Sequence, residues 1–161
     1  MKSKIVSLDE LKSITDNLKS KDKVVVATGG CFDILHAGHV QYLEQAKTYG
    51  DVLVLFMNSD SSVRRLKGPK RPIVSEEERA VVAAGLGCID YVCLFDEDTP
   101  ENVISEIKPD VWAKGADYEG KDIPEAKIIN GYGGKIAYIS FVEGCSSTNI
   151  VEKIIKTYTG E

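Results

Sequence analysis

Five short apolar runs alternate with segments of helical periodicity, and this alternation constrains the fold more than any other feature of the chain. Strands are predicted at Lys23–Ala27, Asp51–Met57, Tyr91–Phe95, Val111–Ala113 and Lys135–Phe141. Helices are predicted at Gly38–Tyr49, Glu76–Leu86, Pro100–Ile107, Pro124–Gly131 and Ser147–Tyr158. Strands without polar alternation belong in a sheet that is covered on both faces, and helical crossovers make that sheet parallel. The sequence therefore predicts an α/β fold, a doubly wound, Rossmann-like five-stranded parallel sheet.

The 161 residues are expected to form one domain, because the length suits a single core and no linker or repeat divides the chain. Residues 1–20 are predicted to contain a packing helix, with Ser7 and Glu10 as its capping box. Of the four cysteines, none forms a CxxC pair. The two histidines lie in a single box, so a structural zinc site is not expected.

The charge balance argues against two classes of partner. The formal net charge is −5, whereas nonspecific binding to nucleic acid or to an anionic membrane requires positive charge. We find no signal peptide and no apolar stretch of membrane length, and so we expect a cytoplasmic protein.

The segment Gly30-Cys31-Phe32-Asp33-Ile34-Leu35-His36-Ala37-Gly38-His39 directly follows the first predicted strand. It places His36 and His39 three residues apart, and therefore on one face of the first turn of a helix. Free N–H groups and the positive end of the helix dipole lie at the same place. Gly38 would allow a phosphate to approach the backbone closely. A helix that merely contains two histidines is the alternative, but the spacing favours a site that stabilises charge on phosphate.

A basic segment lies in the longest predicted irregular region, Asn58–Ser75. Five cations fall within eight residues, namely Arg64, Arg65, Lys67, Lys70 and Arg71. A solvated surface loop is one interpretation, and an arm that reaches for phosphates is the other. The arm is favoured because the segment follows the second strand, at the edge where open α/β sheets bind ligands. Arg79 near the next helix N-terminus hints at an anion, although a salt bridge to a nearby glutamate explains it equally well.

Two further turns follow the fourth and fifth predicted strands. One contains Lys114, Gly115 and Asp117, and the other contains Gly144, Cys145, Ser146, Ser147 and Thr148 before the last helix. One Ser or Thr is enough to cap a helix, so the remaining hydroxyl and N–H groups are available to a phosphate or a base. Because these turns follow different parallel strands, we expect them to converge on one site.

GCFDILHAGH and CSST, in this order, resemble the HxGH nucleotidylyltransferase superfamily with its cytidylyltransferase-like fold. Within it, the chain is most similar to heptose 1-phosphate adenylyltransferases, which supply ADP-heptose for lipopolysaccharide and other surface glycans. The similarity includes NSDSSVRRLKGPKRP, KGADY and FVEGCSSTNIVEKI, and it extends over residues 23–156.

The resemblance implies transfer of AMP from ATP to D-glycero-β-D-manno-heptose 1-phosphate, without a covalent intermediate. It implies catalytic roles toward phosphate for four residues, His36, His39, Lys67 and Arg79. It implies nucleotide contacts from Gly30, Cys31, Phe32, Asp33, Gly38, Lys114, Gly115, Asp117, Gly144, Ser146, Ser147 and Thr148. Contacts to phosphate or sugar are expected from Asn58, Asp60 and Arg71, and Mg²⁺ is expected to be held by ATP oxygens and water rather than by a protein cage.

Several expectations about partners follow from the same resemblance. The substrates are small molecules, a homodimer is expected because relatives are often dimers, and a separate kinase and phosphatase are expected to supply the sugar phosphate. Two alternatives stay open: a cytidylyltransferase for a polyol phosphate such as glycerol 3-phosphate, and a non-enzymatic nucleotide sensor.

Overall fold

The computed structural model, which describes residues 2–161, contains one five-stranded sheet in which every neighbouring pair of strands is parallel. The strands are β1 (Val25–Gly30), β2 (Val52–Asn58), β3 (Tyr91–Phe95), β4 (Val111–Gly115) and β5 (Lys135–Ile139). Their order across the sheet is β3-β2-β1-β4-β5, which places the topological switch point between β1 and β4. The predicted doubly wound α/β fold is confirmed.

Within residues 2–161, seven α-helices accompany the sheet: α1 (Leu8–Ser20), α2 (Ala37–Lys47), α3 (Asp60–Lys67), α4 (Glu76–Ala84), α5 (Glu101–Ile107), α6 (Pro124–Gly131) and α7 (Ser147–Thr159). Short 3-10 turns lie at Lys2–Lys4 and Ala116–Tyr118. Apolar residues of α2 and α4 pack on one face of the sheet, and those of α1, α5 and α6 pack on the other.

The central strands are apolar on both sides because both faces are covered. Val25, Val26 and Ala27 have no solvent exposure, and every residue of β2 is buried. Successive residues of β1 alternate between the two core clusters, as the two-residue period of a strand requires. Burial on both sides explains why the sequence shows continuous apolar runs.

The sequence prediction was wrong in the region expected to be irregular. Residues Asp60–Lys67 form α3, whose N-cap Ser59 accepts a hydrogen bond from the Ser62 N–H at 3.1 Å. Of its apolar side chains, Val63 is buried and Leu66 is half-exposed, so the helix shows little apolar periodicity in the sequence. The cap and the contact of Val63 with the core are sufficient to order one short polar helix.

Candidate active site

A cavity of about 780 Å³ opens at the carboxyl ends of the strands. Its wall includes Gly29 and Gly30 of β1, Asn58 of β2, Phe95 of β3 and Trp112 of β4. Ligands of open α/β sheets bind at this edge, beside the switch point. The cavity is therefore the candidate active site.

Most of the sequence-predicted site residues line this cavity. They are Gly30, Cys31, Phe32, Asp33, His36, Gly38, His39, Asn58, Lys67, Arg71, Lys114, Ser146, Ser147 and Thr148. Five others lie outside its wall: Asp60, Arg79, Gly115, Asp117 and Gly144. The histidine segment, the basic segment and the turns after β4 and β5 therefore converge on one cavity, as expected. Not every residue in these four segments faces it.

The two histidines are fixed by hydrogen bonds at the N-terminus of α2. The Gly38 N–H donates to His36 Nδ1 at 3.1 Å, and the His36 N–H donates to His39 Nδ1 at 3.3 Å. The rings stack with their centroids 3.8 Å apart. Because each Nδ1 accepts a hydrogen bond, the proton of each neutral imidazole lies on Nε2. Both side chains are thus prepared to donate from Nε2.

The environment keeps both imidazoles neutral. Burial lowers the pKa of His36 below its ordinary value. Burial, together with the adjacent His36, lowers the pKa of His39 to about 4. At neutral pH the pair therefore offers hydrogen-bond donors rather than positive charge.

Gly38 is required by close packing as well as by any ligand. A Cβ at this position would lie 2.8 Å from the Cys145 Cβ and 3.0 Å from the His36 ring. The turn before α7 therefore sits directly against the start of α2.

Asp33 ties three segments of the site together. Its carboxylate accepts from the Ile73 N–H at 2.8 Å, from the Val74 N–H at 3.0 Å and from Arg71 Nε at 2.8 Å. Burial raises the pKa of Asp33, but these hydrogen bonds and the Arg71 charge outweigh it, and the net pKa is lowered. The Asp33 carbonyl also accepts from the Ser147 hydroxyl. Its carboxylate thus anchors the basic arm instead of being free for a nucleotide.

The backbone around Asp33 is unusual. Phe32 and Ile34, on either side of it, have φ values of 49° and 51°, which L-residues other than Asn and Asp rarely adopt. Such strained conformations concentrate at functional sites, where the surrounding structure maintains them.

Arg79 does not reach the cavity, and the expectation of a direct phosphate contact is corrected here. Its side chain is 1% exposed, and the guanidinium donates to the carbonyls of Cys31, Asn58 and Val74 and to Asp60 Oδ1 at 2.7 Å. Each nitrogen already has a protein acceptor. Arg79 therefore holds the ends of β1 and β2 together. Its salt bridge is with Asp60, and not with the nearby glutamate that the sequence suggested.

Asp60 is likewise occupied. Its carboxylate binds Arg79, and its N–H donates to Glu76 Oε2 at 2.6 Å. The expected contact to phosphate or sugar is not supported by this position.

Gly115 and Asp117 serve the packing of the turn after β4. A Cβ on Gly115 would lie 2.2 Å from the Phe141 ring and 2.5 Å from Asp117 Oδ1. The close approach of Phe141 explains why glycine is needed there. Phe141 in turn stacks on Tyr42, with ring centroids 5.5 Å apart, and both rings line the cavity.

Three cations face the cavity from different segments. The ammonium of Lys67, the last residue of α3, has no hydrogen bond or ion pair to any residue in 3–161. Arg71 pairs with Asp33, and Lys114 pairs with Glu125 at 2.7 Å. Lys67 is thus the cation that the protein leaves available for a ligand.

The polar residues at the start of α7 divide their roles. Ser146 Oγ caps the helix by accepting from the Asn149 N–H at 3.0 Å, and Ser147 donates to Asp33. Within the part of the chain that the structure describes, the Thr148 hydroxyl has no such partner, and Thr148 lines the cavity. Thr148 and the helix N-terminus therefore remain for an anion.

Sequence reasoning missed many residues of the wall, among them Tyr42, Trp112, Glu125 and Phe141. Tyr42 lies three residues after His39 on α2, a spacing that could have identified it. Glu125 stands beside a proline at the start of α6, and its burial depends on Lys114, eleven residues earlier.

In residues 2–161 no helix is both long and apolar enough to span a membrane. The same residues contain no cluster of three or more His, Cys, Asp or Glu side chains that could hold a metal ion.

Comparison with known proteins places this site in a family. The profile described as cytidylyltransferase-like matches residues 27–153. A bifunctional protein HldE from Geobacter metallireducens is 52% identical over 159 residues, which cover 99% of this chain and 32% of that protein. The bifunctional protein HldE of Pseudomonas fluorescens is 50% identical over 157 residues, or 98% of this chain and 33% of that protein.

The chain thus spans about one third of the length of these curated relatives. Among solved structures, a lipopolysaccharide core biosynthesis protein from Thermoplasma volcanium is 32% identical, with a TM-score of 0.60 over 74% of this chain and 97% of that one. A pantoate-beta-alanine ligase from Francisella tularensis, 13% identical with a TM-score of 0.60 over 98% of this chain and 79% of that one, shares the fold. The chain belongs to the cytidylyltransferase-like family.

Proposed function

We propose that this chain is a nucleotidyltransferase that transfers AMP from ATP to D-glycero-β-D-manno-heptose 1-phosphate, giving ADP-heptose and pyrophosphate. The observation that carries the proposal is the pair of neutral histidines at the N-terminus of α2, both with Nε2 free to donate. The identity of about 50% to proteins named HldE supports the choice of adenylyl transfer and of the heptose.

The reaction is a single displacement at the α-phosphorus. A phosphate oxygen of the sugar phosphate attacks in line, a new P–O bond forms, and the bond to the β-phosphate oxygen breaks. The attacking oxygen carries no proton near neutral pH, so the reaction requires no general base. Positioning and electrostatic stabilisation supply the catalysis.

The residues divide the work according to their surroundings. The Nε2–H groups of His36 and His39 donate to oxygens on which charge builds up in the transition state. Lys67, which is free of protein partners among residues 3–161, provides positive charge for the leaving pyrophosphate. The N-terminus of α7 and Thr148 add donors without net charge.

Mg²⁺ fits this arrangement as part of the bound ATP. The Asp33 carboxylate already accepts three hydrogen bonds and is not available as a ligand. The ion would therefore be bound by phosphate oxygens and water. When bound, it neutralises part of the triphosphate charge.

Asp33 and Arg79 act as positioning residues in this proposal. Asp33 fixes the arm that carries Arg71, and Arg79 fixes the ends of β1 and β2 beneath the histidines. The exposed ring of Phe141, stacked on Tyr42, offers a surface for the base.

A homodimer, and a kinase and a phosphatase activity that supply the sugar phosphate, belong to the same proposal. Three exposed apolar side chains of α7 support the dimer, because each of them is about half-exposed or more: Ile154, Ile155 and Tyr158. Sedimentation velocity tests the dimer directly.

The deciding experiment measures pyrophosphate release with Mg²⁺, crossing ATP and CTP against the heptose 1-phosphate and glycerol 3-phosphate. Turnover confined to ATP and the heptose supports the proposal. Turnover with CTP and the polyol phosphate would replace it with a cytidylyltransferase. Saturable ATP binding with no pyrophosphate release for any acceptor would replace it with a nucleotide sensor.

A further inference from the structure

The cavity extends over both faces of the sheet. Tyr42 belongs to the apolar cluster on the α2 face, whereas Phe95 and Trp112 belong to the cluster on the opposite face, yet all three line the cavity. The two parts meet above Gly29, where a Cβ would lie 3.2 Å from the Trp112 ring. We call the part formed by Asn58, Thr99, Trp112, Lys114 and Glu125 the far lobe.

The far lobe contains an unsatisfied buried donor. Trp112 is 1% exposed, and its Nε1 is the one buried side-chain nitrogen or oxygen in the described part of the chain that lacks a hydrogen-bond partner. The indole N–H can only donate, and leaving a buried donor unpaired costs free energy. Trp112 also lines the cavity, so a ligand bound there could supply the missing acceptor.

The same lobe contains a buried carboxylate that the proposed chemistry does not use. Glu125 is 2% exposed and accepts from Lys114 Nζ through Oε1 at 2.7 Å, which leaves Oε2 without that partner. The Lys114 ammonium lies 4.4 Å from the centroid of the Tyr118 ring. A buried charge with one partner is costly unless further hydrogen bonds complete it.

Charge separates the two lobes. The lobe on the α2 face contains the neutral histidines, Lys67 and the α7 N-terminus, all of them donors suited to a triphosphate. The far lobe combines a carboxylate acceptor with an ammonium and an indole donor. A second triphosphate would be repelled by Glu125, whereas sugar hydroxyls both donate and accept.

We propose that the far lobe binds the hydroxyl groups of the acceptor sugar. Glu125 accepts from a hydroxyl through Oε2, and Trp112 Nε1–H donates to a hydroxyl oxygen. Lys114 then acts on the acceptor side, which revises its expected role in framing the nucleotide. This inference rests on the proposed function, because it needs a phosphorylated polyol as the second substrate.

The test compares Glu125→Gln and Trp112→Phe with wild type, and Glu119→Gln serves as the matched control. Glu119 is exposed and does not line the cavity. Steady-state kinetics give KM for the heptose 1-phosphate and for ATP, and calorimetry gives Kd for ATP. A Tm measurement on each variant shows whether it is folded.

We expect Glu125→Gln and Trp112→Phe to raise KM for the sugar phosphate by roughly tenfold or more. The Kd for ATP should stay within about twofold of wild type, since the triphosphate occupies the other lobe, and the control should match wild type. Glu125→Gln should also reduce the preference for the heptose over glycerol 3-phosphate, which has fewer hydroxyl groups.

If the variants raise the Kd for ATP as much as the KM for the sugar phosphate, the inference is overturned. It is also overturned if they lower Tm but leave the KM for the sugar phosphate unchanged. If one variant does not fold, the other decides the question. Wild-type protein that neither turns over nor binds any sugar phosphate would overturn the proposed function itself. If the wild-type protein turns over and both variants have the same KM for the sugar phosphate as wild type, this inference alone is overturned.

Discussion

The neutral state of the two histidines leads to a prediction about His39 that separates its catalytic role from its structural one. His39 accepts from the His36 N–H through Nδ1 and donates to the substrate through Nε2. In His39→Asn, the side-chain oxygen can replace Nδ1, but no donor extends to the position of Nε2. In His39→Gln, the amide nitrogen reaches that position instead.

The expected magnitude follows from the loss of one donor to developing charge. Removal of such a donor costs about 10²–10³ in turnover, or roughly 2.7–4 kcal/mol of transition-state stabilisation. His39→Asn should therefore lower kcat by about a hundredfold or more while Tm stays within a few degrees of wild type. His39→Gln should retain the donor and lose about tenfold less activity than the asparagine variant.

Pyrophosphate release under saturating ATP measures these rates, and its pH dependence adds a second check. Because the pKa of His39 is lowered to about 4 and that of His36 is also lowered, protonation of these imidazoles should reduce kcat/KM only below the ordinary histidine value of about 6.5. Near-normal turnover in both His36→Ala and His39→Ala would refute the mechanism. An acidic limb near pH 6.5 that disappears in His39→Gln would refute the neutral pair, whereas protonation of the substrate phosphates would leave the same limb in both proteins.

Further predictions concern the residues that hold the site together. Asp33→Asn should raise KM for ATP severalfold and lower the free energy of unfolding by about 1.5–3 kcal/mol in urea titrations, because the hydrogen bond to Arg71 loses its charge; an unchanged KM would argue against a positioning role. Arg79→Met should lower the free energy of unfolding by about 3–5 kcal/mol, since Asp60 loses its partner and three carbonyls lose their donor. If this variant is as stable as wild type but binds ATP more weakly, Arg79 contacts phosphate directly after all. Lowering the pH from 7 to 4.5 should decrease the free energy of unfolding. The reason is that His39 becomes protonated near pH 6.5 in the unfolded chain, whereas its pKa in the folded chain is about 4. The decrease should be smaller in His39→Asn.

The sheet and most helices could be predicted because local patterns specify them. The apolar runs of β1 to β5 and the Ser7–Glu10 capping box are visible without tertiary information, and the structure confirms them. The convergence of the turns followed from the parallel topology alone. The short helix α3 could not be predicted, since it depends on the burial of Val63 against the sheet.

The orientation of individual side chains was harder to predict than the fold. Arg79 resembles a phosphate ligand in the sequence, but its acceptors come from Cys31, Asn58 and Val74, which only the folded chain brings together. Glu125 gave no local indication, because its burial depends on an ion pair across the turn after β4. In both cases the competing partner is distant along the chain, and sequence spacing carries no information about it.

Isotopic labelling of the acceptor phosphate tests the proposed displacement most directly. The protein is incubated with ATP, Mg²⁺ and heptose 1-phosphate whose non-bridging phosphate oxygens carry ¹⁸O, and the products are resolved by ³¹P NMR and mass spectrometry. Direct displacement gives ADP-heptose and pyrophosphate in equal amounts, with ¹⁸O in the new bridge between the two phosphorus atoms and none in pyrophosphate. Label in pyrophosphate, or release of AMP without ADP-heptose, would contradict it.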